Sequence, residues 1–356
     1  MLISCGKTKQ ESRLAGSSEM RVEIEILIQD STLNVRAMEI IDQVNGIFFL
    51  TSNGYGGSYT DYNFGNKKIS SDAEIIFPID FADKDVNFRA FALTDSAAFG
   101  LGIGSPAKLF RREVNKTKLV YKETHEKAFY DSMKFWNEQE GIAIGDPTED
   151  CMSIIITRDG GNTWTKLSCA DVPKAKEGEA AFAASDTNIA IIDNHTWVAT
   201  GGMASRILYS PDKGKTWEIF ETPIVQGKPT TGMYSLDFYD KHNGFAIGGD
   251  YTKAADSSAN KIRTQDGGKT WQLVAENQSP GYRSCVQYIP NGGAKKLVAV
   301  GFRGIDYSSD AGNTWKHLSD DEFYTIRFLN DSVAFAGGNG RVAKLVFRES
   351  KTVAGH

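Results

Sequence analysis

Thr157-Arg-Asp159-Gly-Gly161-Asn-Thr163-Trp164 recurs three times further along the chain, as Ser210-Pro-Asp212-Lys-Gly214-Lys-Thr216-Trp217, Thr264-Gln-Asp266-Gly-Gly268-Lys-Thr270-Trp271 and Ser308-Ser-Asp310-Ala-Gly312-Asn-Thr314-Trp315. Each copy reads S/T-x-D-x-G-x-T-W. This residue set suits a hairpin turn. The Asp carboxylate accepts turn N–H groups, the Gly takes positive φ, and the Trp opens the returning strand with its ring buried. Turn capping accounts for every residue type present, so Asp159, Asp212, Asp266 and Asp310, with Trp164, Trp217, Trp271 and Trp315, read as structural rather than catalytic.

The four tryptophans stand roughly 44–54 residues apart, the size of a four-stranded propeller blade with variable loops. Upstream of the turns a second pattern recurs, a strand, a turn and a strand ending in small residues. Examples are Phe135-Trp-Asn-Glu-Gln-Glu-Gly141-Ile-Ala-Ile-Gly145 and Phe238-Tyr-Asp-Lys-His-Asn-Gly244-Phe-Ala-Ile-Gly248, then Leu297-Val-Ala-Val-Gly301 and Val333-Ala-Phe-Ala-Gly337. Small residues fit where blades converge on an axis. Counting first strands gives seven, near Val35, Phe88, Tyr130, Ala181, Tyr234, Arg283 and Tyr324. The second carries a decayed turn, Arg111 to Lys118, and the first only a Gly/Tyr-rich loop from Asn53 to Asn66. No fourth strand follows Gly340 to Phe347, whereas Arg21-Val-Glu-Ile-Glu-Ile-Leu-Ile28 alternates with period two and lacks another place. The expected fold is therefore all-β, a seven-bladed β-propeller of four-stranded antiparallel blades over residues 21–350. Its ring is closed by the N-terminal strand, which protects the edges.

Composition agrees. Thirty-five Gly with nine Pro, and twenty Phe, thirteen Tyr and six Trp, suit many short strands joined by tight turns. Net charge is −5 with both signs mixed and no run of five like charges, so nothing points to nucleic acid. No stretch of about 18 apolar residues offers a membrane-spanning helix. His125, His195, His242, His317 and His356 are dispersed without ligand spacing, so no metal is expected. Gly100-Leu-Gly-Ile-Gly104 lacks the strand-to-helix context of a dinucleotide loop, no G-x-S-x-G elbow exists, and no cofactor is expected.

Leu2-Ile3-Ser4-Cys5-Gly6 is similar to the end of a bacterial lipoprotein signal, which would make Cys5 the acylated residue and Lys7 to Glu19 a polar tether, with residues 1–20 outside the propeller. The alternative is that Cys5 is an ordinary residue of a loose tail, since no apolar stretch precedes it. On the first reading the protein sits in the periplasm or outer membrane of the cell envelope, touching membrane only through that lipid. Cys151 and Cys169 flank the two arms of one hairpin, Met152 to Thr157 and Thr163 to Ser168, where a disulfide is sterically conceivable. Two reduced cysteines at strand ends are the other reading, because a one-residue register shift would turn them to opposite faces.

The repeated turns resemble the Asp-box, or BNR, repeats of sialidases, sortilin-type receptors and the photosystem II stability/assembly factors. The resemblance to the assembly factors, and to their relatives in non-photosynthetic bacteria, runs from about Arg21 to Phe347. It includes Gly178-Glu-Ala-Ala-Phe-Ala-Ala-Ser185, Gly248-Gly-Asp-Tyr251 and Gly281-Tyr-Arg-Ser284. It implies a propeller, export and a chaperone-like or scaffolding role on a protein client. A photosystem client is not implied.

Strand direction then locates a site. First-strand starts carry Arg89, Asp131, Glu179 and Arg283, and second-strand ends carry Asp146, Asp250, Tyr251 and Arg303. In an up-and-down blade these ends share the face opposite the repeated turns, so all eight are expected around one central mouth. Arg283 and Arg89 would anchor carboxylates or backbone carbonyls of a partner. The competing expectation is that these residues are solvated or form ion pairs between blades. A glycoside hydrolase of sialidase type, acting on carbohydrate, is the alternative function. It would gather Arg89, Arg206, Arg283, Arg303, Glu179 and Tyr234 on one face, but the early Arg-Ile-Pro signature of sialidases is missing.

Overall fold

The computed structural model describes residues 18–41, 45–60, 76–81, 83, 85–114 and 116–351. Cys5 and residues 7–17 of the expected tether lie outside them, whereas Ser18 to Met20, also expected outside the propeller, belong to the first strand and pair with Glu349 to Lys351.

The strands are antiparallel throughout, and successive strands pair as meanders. Asn87–Leu93, Ala98–Ile103, Ala107–Glu113 and Lys116–Glu123 form one four-stranded sheet. Tyr130–Phe135, Gly141–Gly145, Ser153–Thr157 and Thr165–Lys166 form the next. Ile189–Ile192 to Glu218–Glu221, and Cys285–Tyr288 to Lys316–Ser319, build two more of the same kind. The innermost strands touch in sequence around a circle. They are Ser18–Ile41, Asn87–Leu93, Tyr130–Phe135, Ile189–Ile192, Thr231–Phe238, Cys285–Tyr288 and Thr325–Phe328, and the last returns to the first. The fold is a β-propeller.

The expectation of seven separate blades is corrected, because the described strands form six sheets. The cause lies at the chain ends. Ser18–Ile41, 24 residues long, pairs with Val333–Lys351 along its first part, Val22 opposite Phe347, and with Gly46–Thr51 along its last part, Met38 opposite Phe49. One continuous strand thus fuses the first and last repeats into a single six-stranded sheet. A second six-stranded sheet arises where Glu179–Ala180 and Gly201–Gly202 are added to the sheet of Thr231–Phe238. Gly201 and Gly232 make that junction, and a Cβ on Gly232 would stand 2.5 Å from the Gly201 Cα. The first strand expected near Ala181 therefore begins later, at Ile189.

Each repeated turn forms the same hydrogen-bond set. In one, Asp212 Oδ1 accepts the Thr216 N–H at 2.8 Å and the Ser210 hydroxyl at 2.9 Å, Oδ2 accepts the Thr216 hydroxyl at 2.7 Å, and the Gly214 N–H donates to Ser210 Oγ at 2.7 Å. Asp159, Asp266 and Asp310 repeat it. The following tryptophans pack between sheets. Trp164 meets Phe99 and Phe135, Trp271 meets Phe238, and Trp315 meets Phe245. Trp164 and Trp271 are buried, whereas Trp217 and Trp315 are partly buried. Cys151 and Cys169 are joined by a disulfide, with Cα atoms 5.4 Å apart.

Candidate functional site

Four of the innermost strands carry a bulge near the beginning of their pairing with the next strand of the sheet. The extra residue is Arg36 between Val35 and Ala37, Arg89 between Phe88 and Ala90, Asp131 between Tyr130 and Ser132, and Tyr234 between Met233 and Ser235. A bulge leaves its residue outside the ladder and re-aims its side chain. Three of the four, Arg36, Arg89 and Tyr234, line a cavity of about 640 Å³ at the axial mouth. Asp131 is fully buried beside Asp146, another wall residue.

A short strap, Ala181 to Ala184, follows the strand Glu179–Ala180 along this mouth, and side chains satisfy several of its backbone groups. Arg36 Nη1 donates to the Ala184 carbonyl at 3.0 Å and Arg89 Nη1 to the Ala183 carbonyl at 3.4 Å. Asp146 Oδ1 accepts the Ala181 N–H at 2.8 Å. Phe182, at the middle of the strap, stacks on Tyr234 with ring centroids 3.9 Å apart and planes 4° from parallel. The guanidinium of Arg36 lies 3.9 Å above the ring of Tyr324.

The electrostatics are those of charges partly withdrawn from water. Burial, followed by the neighbouring Arg36, lowers Arg89 to about 10. Burial likewise lowers Arg36. Neither guanidinium has a carboxylate partner among the described residues, and the buried Nε of Arg36 has no acceptor. Burial raises Asp146, which lines the same cavity, to about 6. Burial and the neighbouring Asp146 hold Asp131 well above the usual carboxylate range. Such a mouth presents cationic donors that are hydrogen-bonded to neutral acceptors and lack an ion-pair partner, and partial desolvation strengthens their contact with an incoming carboxylate.

Of the eight residues expected around one mouth, Arg89, Asp146 and Tyr251 line this cavity. The rest are placed otherwise. Glu179 is buried in an ion pair with Arg206 and accepts the Lys176 N–H at 2.8 Å. Arg283 is buried against Asp306 and donates to the Tyr282 and Arg303 carbonyls. Asp250 is buried and caps the turn at Thr252 through a 3.0 Å bond, and Arg303 is exposed at the tip of a hairpin. Asp131 lies behind the wall. The sialidase arrangement is not assembled, because Glu179 and Arg206 neutralise each other and the Tyr234 hydroxyl donates to the Thr230 carbonyl at 2.9 Å. Among the described residues no group of three or more His, Cys, Asp or Glu could hold a metal ion.

Arg36, Phe182, Tyr282 and Tyr324 were not among the expected site residues. Arg36 had a signal, since Val35-Arg36-Ala37 stands at the same place in its strand as Phe88-Arg89-Ala90.

No family model matches this chain, and no curated protein matches it in sequence. Solved structures do match in shape. The chain is similar to YCF48 bound to a D1 peptide, at 14% identity and a TM-score of 0.59, over 91% of this chain and 96% of that one. It is similar to YCF48 from Cyanidioschyzon merolae, at 11% identity and a TM-score of 0.60, over 91% and 98%. The WD40 repeats of RRP9 match at 9% identity and a TM-score of 0.62, over 93% and 100%. At these identities the likeness is one of fold, and the propeller is what these structures share with this chain.

Proposed function

We propose that this chain is a protein-binding scaffold that captures an acidic or carboxylate-bearing peptide segment of a client at the axial mouth. The observation that carries this reading is the pair Arg36 and Arg89, two partly buried guanidiniums on neighbouring inner strands with no carboxylate ion-pair partner among the described residues. A partly buried charge without a counter-charge has lost some of its hydration, and an incoming carboxylate would offset that cost. The strap carbonyls of Ala183 and Ala184 already supply the kind of acceptor that a peptide would bring. The fold shared with YCF48, a protein whose structure is known with a D1 peptide bound, supports the same reading.

The test is binding of fluorescein-labelled acidic peptides to the full chain, read by anisotropy at two salt concentrations. Capture that weakens with salt and is lost in Arg36→Gln/Arg89→Gln, with an unchanged thermal midpoint, supports the proposal. Equal binding by the double variant overturns it. Export and acylation of Cys5 belong to the same proposal. Incorporation of labelled palmitate that persists in Cys5→Ser would reject that part.

A further inference from the structure

Resting on that reading, we propose that the mouth holds a second subsite, specific for an aromatic side chain, so that the preferred partner segment carries an aromatic residue next to its carboxylate. Tyr234, Tyr251 and Tyr282 meet pairwise edge to face, with ring centroids 6.4, 4.8 and 6.4 Å apart. Phe302 extends the group from Tyr282 at 5.1 Å. Tyr234 and Tyr282 form a buried floor, while Tyr251 is 49% exposed. All four line the same cavity as the two arginines.

Two occupants compete for such a floor, an organic cation and a neutral ring. Cations favour aromatic faces. Here Arg36 and Arg89 place two positive charges on the cavity wall against the single carboxyl of Asp146, and Arg36 acts electrostatically on both Tyr282 and Tyr324. An ammonium would be repelled, because like charges in a desolvated site interact strongly. A neutral aromatic ring gains the edge-to-face contacts that the tyrosines already make with one another, in addition to its hydrophobic burial. The subsites are contiguous through Arg36, so a carboxylate bound there brings an adjacent side chain over Tyr282 and Tyr251. Charge complementarity therefore selects the backbone segment, and the aromatic floor selects the neighbouring residue.

The experiment compares labelled hexapeptides that differ only in one dipeptide, Asp-Phe, Asp-Leu, Asp-Ala or Asn-Phe, on the full chain. Asp-Phe is expected to bind about tenfold more tightly than Asp-Ala, the size of one good aromatic contact. Tyr251→Ala and Phe302→Ala should erase that discrimination, and Tyr251, half exposed, is the variant least able to disturb the fold. Arg89→Gln should weaken both Asp peptides in equal proportion. Equal affinity for Asp-Phe, Asp-Leu and Asp-Ala, or a preference for Phe that survives Tyr251→Ala, overturns the subsite while leaving peptide capture standing. Failure of every Asp peptide to bind overturns the subsite together with the capture on which it rests.

Discussion

Gly161 lies against the ring of Phe99 so closely that a Cβ at this position would stand 2.2 Å from the Phe99 Cε1 atom. Gly161 belongs to a repeated turn of one sheet, and Phe99 to the second strand of the sheet before it. The contact recurs around the ring, where a Cβ on Gly312 would stand 2.1 Å from the Phe245 ring. The turn glycine is thus required twice, for a φ of +76° and for the closeness of the neighbouring sheet. Gly161→Ala should lower unfolding free energy by at least about 2 kcal/mol, from backbone strain together with overpacking. Chemical denaturation would measure it, and an unchanged midpoint would reject this account of how the sheets dock.

The tryptophans should grade in the same way that their burial does. Trp271 is 7% exposed, stands edge-on to Phe238, and donates its indole N–H to the Gly268 carbonyl at 2.9 Å. Trp271→Ala should cost about 3–5 kcal/mol, as for other large-to-small core changes. Trp217→Ala, at a partly buried site, should cost less. Equal losses at the two positions would show that burial between sheets is not what these rings contribute.

Reading the chain from its sequence succeeded where the chemistry is local. Asp212, Thr216 and Gly214 lie within a few residues of one another, and their types alone specify the turn. It failed where the outcome depends on residues far apart. Arg283 was expected to face a partner, but Asp306 neutralises it from the third strand of the sheet that Arg283 precedes, and Glu179 finds Arg206 on a strand of a different sheet. The count of separate sheets was overturned because one strand, Ser18–Ile41, runs through two pairings, which no local period reveals. Arg36 escaped notice because its repeat has no turn motif to index it.

The disulfide between Cys151 and Cys169 closes a segment of 18 residues that includes a repeated turn. Cross-linking a loop of this size restricts the unfolded chain by about 3 kcal/mol. Cys151→Ser/Cys169→Ser should lower the thermal midpoint by a corresponding amount. It should leave the midpoint insensitive to dithiothreitol, which should lower that of the parent protein. A parent protein unaffected by reductant would contradict the bridge.

Stability should peak in mildly acidic solution, because two sets of carboxyls pull in opposite directions. In the first set burial raises Asp146 to about 6, Asp237 to about 6 and Asp186 to about 7, the last despite the opposing charge of Arg327 and the N–H groups of Phe91 and Met133. A carboxyl raised on folding holds its proton more tightly in the folded state than in the unfolded one. Its contribution is full below the unfolded value near 4 and is lost as pH rises through 6 to 7. The second set is the turn aspartates Asp159, Asp212, Asp266 and Asp310. Burial acts to raise them, but hydrogen bonds from the turn N–H and hydroxyl groups outweigh it and leave all four lowered. Their contribution is present above the unfolded value and is lost as pH falls through the folded one, so acid unfolds the molecule through its turns. Asp146→Asn keeps a side-chain oxygen for the Ala181 N–H and removes the charge beside Asp131. It should raise stability at pH 8 by roughly 1–3 kcal/mol and have little effect at pH 4.5. Asp212→Ala should instead cost roughly 1–3 kcal/mol at pH 6, through the unsatisfied turn donors, and progressively less toward pH 3. Thermal melts of the parent and both variants between pH 3 and 8 measure the two slopes. A parent curve that rises steadily from pH 5 to 8, or an Asp146→Asn variant less stable at pH 8 than the parent, would show that these buried carboxyls are not protonated on folding.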